Sequence, residues 1–253
     1  EPIELITALK GVEQSPIYHG EGDVFVHTKM VLDQLIAMEN WRELAPSDRA
    51  LVFVACLFHD IGKKPCTVVA EDGRIKSPKH AVVGEKMFRA AAMRGELPFE
   101  LTFEQREHIA QLIRYHGLPL WIMEKQDPER ALIKASFGCR LDLLAVVAEA
   151  DMRGRICPDK DHFLERVELF MEYAREQDCV AYPREFHSDH SRVQYFRNWE
   201  LGAGYQAYDD TKEEVVLMMG LPGVGKDTYI KRQYPDLPVI SLDEIRKELK
   251  LPH

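Results

Sequence analysis

Along most of the first 200 positions, apolar residues recur every three or four places, the period of helices with one buried stripe. DVFVHTKMVLDQLIAM follows this rule from Asp23, a natural N-cap. PSDRALVFVACLFHD, with Ser47 or Asp48 as its expected cap, goes further: Ala50 to Phe58 form an unbroken run of nine apolar residues. SPKHAVVGEKMFRAAAM reads as a third helix, capped by Ser77. TFEQREHIAQLIRYHG opens with Thr102 and Gln105 at capping-box spacing and stops at Gly117. Further helical patterns cover residues 128–137, 140–151 and 162–176. In TVVAEDGRIKS a turn at Asp72-Gly73 between two short β-prone runs predicts a small hairpin.

The pattern changes after residue 200. LGAGYQAYDDTKEE, punctuated by glycine, reads as a linker over 201–213. The run VVLMMG (215–220) has the pattern of a buried strand, GLPGVGKDTYIKRQY that of a glycine loop entering a helix, and PVIS (238–241) that of a second strand. The expected organisation is a mainly α domain, a helical bundle with a small hairpin, over 1–200. The start of an α/β domain follows over 214–253.

Composition changes this picture little. With 45% hydrophobic and 30% charged residues among 253, the chain reads as globular. No apolar run approaches the roughly 20 residues of a membrane span, and the first residues lack a signal-peptide pattern, so no membrane partner and a cytoplasmic setting are expected. The five cysteines are scattered and form no C-x-x-C pair, which fits a reducing compartment. A net charge of −9 argues against a bulk electrostatic coat on nucleic acid, though not against a local basic pocket.

Chemistry enters where the apolar run ends. ACLFHDIGKKP places His59 beside Asp60, with Lys63 and Lys64 just beyond. Adjacent residues on a helix point about 100° apart, so both could reach one ion lying off the helix end. Other metal-ligand types interrupt faces that otherwise look buried: His27 in VFVHTKMVL, His80 one turn into its helix, His116 before Gly117, and Asp151 at the end of LDLLAVVAEAD. A buried imidazole or carboxylate needs a partner, and a shared metal would satisfy all of them together. One by one, each such histidine is more simply a hydrogen-bonded boundary residue, and each aspartate half of a salt bridge. His108, His162, His187 and His190, in polar surroundings, read as solvated.

The ordered set resembles the HD-domain metal-dependent phosphohydrolase superfamily, most closely the HD domains attached to tRNA nucleotidyltransferases. FHDIGKKPCTVVAEDGRIKSPKHAVVGEKMF, IAQLIRYHGLP and AEADMRGR carry the likeness, which spans 27–155. The resemblance implies that His27, His59, Asp60 and Asp151 hold one divalent ion. Asp60 would bridge to a second, held by His80 and His116. Nitrogen and carboxylate donors suit Mn, Fe, Co, Ni or Zn without choosing among them. Two cations about 3.5–4 Å apart would clamp phosphate oxygens for in-line attack. Lys63, one turn past the motif, would hold a phosphate oxygen; Arg153 and Arg155 would add positive potential.

In the tail, Gly220, Gly223, Gly225 and Lys226 fit G-x-x-x-x-G-K between strand and helix patterns, a phosphate cradle. Asp227 stands where Ser or Thr normally binds Mg²⁺, leaving Asp227 itself or Thr228 for that role. VISLDEIRKEL resembles the segment after the P-loop in polynucleotide kinases. Asp243 would take a proton from a 5′-hydroxyl and Arg246 would contact the acceptor phosphate. About 40 residues cannot build a doubly wound core, so this reads as part of a longer domain. Together the halves resemble bacterial RNA end-healing enzymes. These remove a 2′,3′-cyclic phosphate or 3′-phosphate and phosphorylate a 5′-hydroxyl from a nucleoside triphosphate, with RNA or DNA ends as substrate. Two alternatives stand beside this: a phosphohydrolase of free or cyclic nucleotides, and a non-catalytic HD module that binds RNA for the kinase.

Overall fold

The computed structural model describes residues 3–250. It divides into two compact units, one ending at Gln206 and the other beginning at Ala207. The first is a helical bundle with one two-stranded antiparallel sheet, Val68–Val69 paired with Ile75–Lys76 around the Asp72-Gly73 turn. No helix among the described residues is long and apolar enough to cross a membrane.

Leu141–Gly154 is the central helix. Eleven of its fourteen residues are buried, so it needs cover on all sides. It receives that cover from Val24–Ala37, Pro46–Phe58, Phe103–Tyr115 and Lys160–Glu176. Gly154 sets the first of these approaches: a Cβ here would lie 2.8 Å from the Val31 backbone nitrogen. The missing methyl lets Val24–Ala37 lie close over the C-terminal end of the central helix, where Asp151 sits. Phe103–Tyr115 packs on His80–Arg94 and on Pro46–Phe58. Between the latter two helices, the fully buried rings of Phe58 and Phe88 meet edge to face at 5.3 Å. Burial of each ring is worth about 1.5–3 kcal/mol.

The capping box at Thr102 and Gln105 and the Asp23 cap are present. Two other caps differ from expectation. Pro46–Phe58 starts from Ala45 with Pro46 at the first position; proline has no N–H to leave unsatisfied and its φ is already helical. Ser47 and Asp48 therefore fall inside the first turn, and Asp48 accepts from Arg140 Nη1 at 2.8 Å. Ser77 does not cap its helix, because its hydroxyl is engaged with Thr67 Oγ1 and its carbonyl with His80. Lys79 takes the cap position with φ 59°. An additional helix, Asp189–Arg197, starts from a Ser188 cap and is held by Tyr195, buried with Ile133 and Ala203. Local periodicity hides it because only that one face is anchored. His108 is half-buried rather than solvated and accepts from the Arg140 amide at 3.2 Å.

In the second unit neither 215–220 nor 238–241 forms a strand. A strand is defined by a partner's hydrogen bonds, and none pairs with these runs among the described residues. Val215, Leu217 and Met219 are exposed, and no described residue from 207 onward is buried. The local loop-to-helix turn does form. Gly220, Gly223 and Gly225 all have positive φ, Gly225 leads into Lys226–Gln233, and Lys226 Nζ donates to the carbonyls of Gly220 and Leu221 at 2.8 and 2.9 Å. Asp227 and Thr228 are exposed in its first turn. Asp243 and Arg246 lie on the exposed Leu242–Glu248 helix, 3.6 Å apart.

Candidate metal centre

The site begins where the apolar helix ends. His59 is the C-cap of Pro46–Phe58, and the next turn is closed by Lys63 N donating to the Asp60 carbonyl. Gly62 lets this turn press against the His80 helix. A Cβ on Gly62 would collide with the His80 carbonyl oxygen and lie 2.6 Å from the Gly84 nitrogen. His80 opens its helix, and His116 is the C-cap of Phe103–Tyr115. His27 lies in the second turn of Val24–Ala37, and Asp151 near the end of the central helix.

Three histidines are oriented by one device. His59 Nδ1 donates to Cys56 O at 2.7 Å, His80 Nδ1 to Ser77 O at 2.8 Å, and His116 Nδ1 to Ile113 O at 2.8 Å. A carbonyl can only accept, so each Nδ1 carries the proton and each Nε2 presents a lone pair. These three Nε2 atoms and that of His27 converge on Asp60. Oδ2 of Asp60 is 3.1 Å from His59 and 3.7 Å from His27; Oδ1 is 3.3 Å from His80 and 3.9 Å from His116. Asp151 Oδ1 lies 3.0 Å from His27 Nε2 and 3.9 Å from His59 Nε2. His27, His59, Asp60 and Asp151 are fully buried or nearly so.

Neither carboxylate oxygen of Asp60 has an aligned hydrogen-bond partner, although Lys63 Nζ is 2.7 Å from Oδ2. A buried carboxylate left so, ringed by imidazole lone pairs, is the donor set of a divalent cation. Two three-ligand groups have the spacing to hold an ion, His27–His59–Asp60 and Asp60–His80–His116, with Asp60 in both. Electrostatics agrees. Burial alone would raise the Asp60 carboxyl, but His59 and Lys63 hold it well below the usual range. Asp151 is likewise held low against burial, chiefly by Arg155. Burial, reinforced by His59 and His80, pushes His116 down to about 3, and burial lowers His80. Both are neutral ligands at physiological pH. For His59 burial is outweighed by the Asp60 carboxylate, so its pKa rises and a proton competes with an ion for Nε2.

The structure adds residues that the sequence patterns did not mark. Glu21, with its side chain fully buried, has Oε1 2.9 Å from His19 Nδ1 and 2.8 Å from His27 Nδ1, while Oε2 accepts from the Ile156 amide at 2.8 Å. The His27 contact is off the N–H direction, so it is an electrostatic contact rather than an aligned bond. Burial pushes the His19 imidazole down to about 4, against the opposing Glu21 contact. Gln14, also buried, accepts from Lys63 Nζ at 2.6 Å. Glu21 and His19 sit in the polar, glycine-rich stretch HGEGD, and no periodicity marks such a loop as buried. Of the two arginines after Asp151, Arg155 pairs with that carboxylate through both Nε and Nη2. Arg153 instead turns outward to Glu149, so the structure does not bring it to the cluster.

The cluster opens into a cleft of about 960 Å³, lined among others by Lys63, His80, His116 and Arg155. Residues 24–145 match the family model of the HD domain. The chain carries an HD domain. The match covers the helices that supply His27, His59, Asp60, His80 and His116 and ends before Asp151. It supports a metal-dependent hydrolase, and the His/Asp cluster could hold the divalent ions that such domains bind. Among curated relatives, the chain is 30% identical over 157 residues to a multifunctional CCA protein of Hahella chejuensis, covering 59% of this chain and 33% of that protein. It is 36% identical over 112 residues to a bifunctional uridylyltransferase/uridylyl-removing enzyme of Cereibacter sphaeroides, covering 42% of this chain and 10% of the relative. A multifunctional CCA protein of Pasteurella multocida is 30% identical over 165 residues, with 59% and 34% covered. The chain thus spans about a third of the length of the CCA proteins it matches.

Proposed function

We propose that this chain is a metal-dependent phosphoesterase that removes 2′,3′-cyclic phosphate or 3′-phosphate from RNA ends. Joined to a whole kinase domain, its glycine-loop tail would also serve phosphorylation of 5′-hydroxyl ends. The observation that carries the hydrolytic half is the buried Asp60 carboxylate, without an aligned partner, at the centre of four imidazole Nε2 atoms from four different elements. Two divalent ions held by His27, His59, Asp60 and Asp151 and by Asp60, His80 and His116 would supply Lewis acidity toward phosphoryl oxygens and lower the pKa of a water.

The protein's own groups do the rest. Asp60 belongs to both ligand sets, so it fixes their separation. Arg155 pins Asp151 through both oxygens, with Oδ1 also facing His27 and His59. Lys63, held between Asp60 and Gln14 at the wall of the cleft, offers an ammonium to the charge that develops on the phosphoryl group. The uridylyl removal in one relative's name is consistent with a phosphoester substrate.

The kinase half rests on the tail's residues. Gly220, Gly223 and Gly225 with Lys226 would cradle the phosphates of ATP or another nucleoside triphosphate, with Mg²⁺ held by Asp227 or Thr228. Asp243 and Arg246 would serve the 5′-hydroxyl acceptor. Lys226→Ala in a longer form should abolish 5′ phosphorylation and spare the phosphoesterase.

The decisive assay offers the purified chain, with Mn²⁺, an RNA ending in a 2′,3′-cyclic phosphate and, separately, a free 2′,3′-cyclic nucleotide. The RNA end should be opened and dephosphorylated, and Asp60→Ala should abolish the reaction. A clear preference for the free nucleotide would favour a nucleotide phosphohydrolase, and hydrolysis of neither would refute the reading.

A further inference from the structure

The cleft does not end at the metal cluster. Lys125, Ala131 and Lys134 form part of its wall and also part of the wall of a second groove of about 550 Å³, so the two are continuous. The second groove is built differently from the metal pocket. Its exposed surfaces are aromatic and cationic: Phe137 is 40% exposed and Trp199 65% exposed, with Phe196 half-buried between Phe137 and the Tyr195 ring. The Arg192 guanidinium lies 5.4 Å from the Phe137 ring centre. Lys125 and Lys134 are exposed and make no ion pair among the described residues. The one acidic residue of the groove, Asp127, is engaged by Arg130 Nε at 2.9 Å.

We infer that this groove is the track of a single-stranded polynucleotide whose 3′ end lies at the metal cluster, with Trp199 and Phe137 as base-stacking platforms and Lys125, Lys134 and Arg192 along the phosphates. The inference rests on the phosphoesterase reading for the direction of the strand.

Three observations select this occupant. Exposed aromatic faces beside flexible cations form the sequence-tolerant surface that unpaired bases and their backbone require. The chain as a whole carries −9, so a positive strip that includes two lysines without ion pairs is a local feature complementary to a polyanion. Within that strip only Lys125 and Lys134 lack an ion pair among the described residues, since Arg192 also meets Asp189 at 3.0 Å. Finally, small-molecule pockets occupy about 300–1,000 Å³. The main cleft is already at the top of that range, and the groove extends it, in line with a substrate longer than one nucleotide.

The platforms are also held in place. Arg130 lies between two rings, 4.0 Å from the centre of Tyr195 and 5.0 Å from that of Trp199, while its Nη2 donates to the Leu201 carbonyl at 3.3 Å. This clamp fixes the segment that carries Trp199 against the helix that carries Lys134. A rigid aromatic platform loses little conformational entropy when a base stacks on it.

The test is direct binding of a 5′-fluorescein, single-stranded RNA 12-mer with a 3′-hydroxyl end, followed by anisotropy without turnover. Trp199→Ala should weaken Kd about 5- to 150-fold, the range for losing one base–aromatic stack, and Trp199→Phe should restore most of it. Lys125→Ala with Lys134→Ala should lower the slope of log K against log salt by about 1.4 if each lysine meets one phosphate. Unchanged Kd and salt slope in these variants, with native melting temperatures, would overturn the proposal. So would a polyglutamate peptide that competes as well as unlabelled RNA. Because binding is read on a 3′-hydroxyl strand, tight groove-dependent binding without any hydrolysis would leave the track standing and remove the phosphoesterase reading. Hydrolysis with groove-independent binding would do the reverse.

Discussion

Gly62 offers the most direct test of how the fold positions the centre. Its φ of −73° and ψ of −10° are ordinary for alanine, so Gly62→Ala introduces no backbone strain and the whole effect is steric. The new Cβ would collide with the His80 carbonyl and lie 2.6 Å from the Gly84 nitrogen, where real Cβ contacts do not fall below 3.0 Å. Both obstacles are backbone atoms of one helix, so no side chain can swing away and the His80 helix must move outward. Overpacking against rigid neighbours costs about 1–3 kcal/mol, and the upper half of that range is expected here. The displacement acts on His80 Nε2, now 3.3 Å from Asp60 Oδ1. A shift of about 1 Å can lower catalytic rate about 10²-fold. Urea unfolding of the metal-free protein should show the stability loss, and metal analysis after dialysis should show the Asp60–His80–His116 ion depleted first. Gly73→Ala is the control: its φ of +76° makes alanine unfavourable, but open space surrounds it, so stability falls while metal content stays. If Gly62→Ala unfolds at the wild-type urea concentration and keeps both ions, the argument that this glycine sets the spacing fails.

Other outcomes follow from the same geometry. His80→Ala or His116→Ala should reduce bound metal from about two ions per chain to about one, read by elemental analysis; a single ion in the metal-replete wild type would sink the dinuclear arrangement. Glu21→Ala should weaken metal affinity, because it removes the buried carboxylate charge 2.8 Å from His27 Nδ1. Calorimetry should place that loss at the His27 ion, and equal loss at both ions would contradict the role. Lys63→Met keeps much of the side chain's volume and removes its charge, so kcat/KM on a phosphorylated RNA end should fall while two ions remain bound; unchanged kinetics would remove Lys63 from phosphate stabilisation.

The helices were legible because their signals are local. The apolar periods, the Asp23 cap and the Thr102–Gln105 box act within one or two turns, and each appears where the chain predicts it. The metal-ligand types were legible for a related reason: a histidine or aspartate on an apolar face must be paired, and six such positions in one chain call for a shared partner. What pairs with what was not legible. His27 and Asp151 are 124 residues apart in sequence and 3.0 Å apart in space, an adjacency created by the close crossing at Gly154 and Val31. Glu21, His19 and Gln14 carried no periodic signal, since they lie in loops that become buried only when the helices close over them. Arg153 and Arg155 look equivalent in MRGRI, yet the end of the central helix turns one toward Glu149 and the other onto Asp151. The runs 215–220 and 238–241 show the opposite limit. Their composition favours strands, but a strand exists only through hydrogen bonds to a neighbour, and neither run has that neighbour among the described residues. Sequence alone thus determined most of the long helices and the six histidine and aspartate positions that demand partners. Tertiary structure decided the partners, because distance between helices depends on side-chain volumes meeting across the core, which no local pattern encodes.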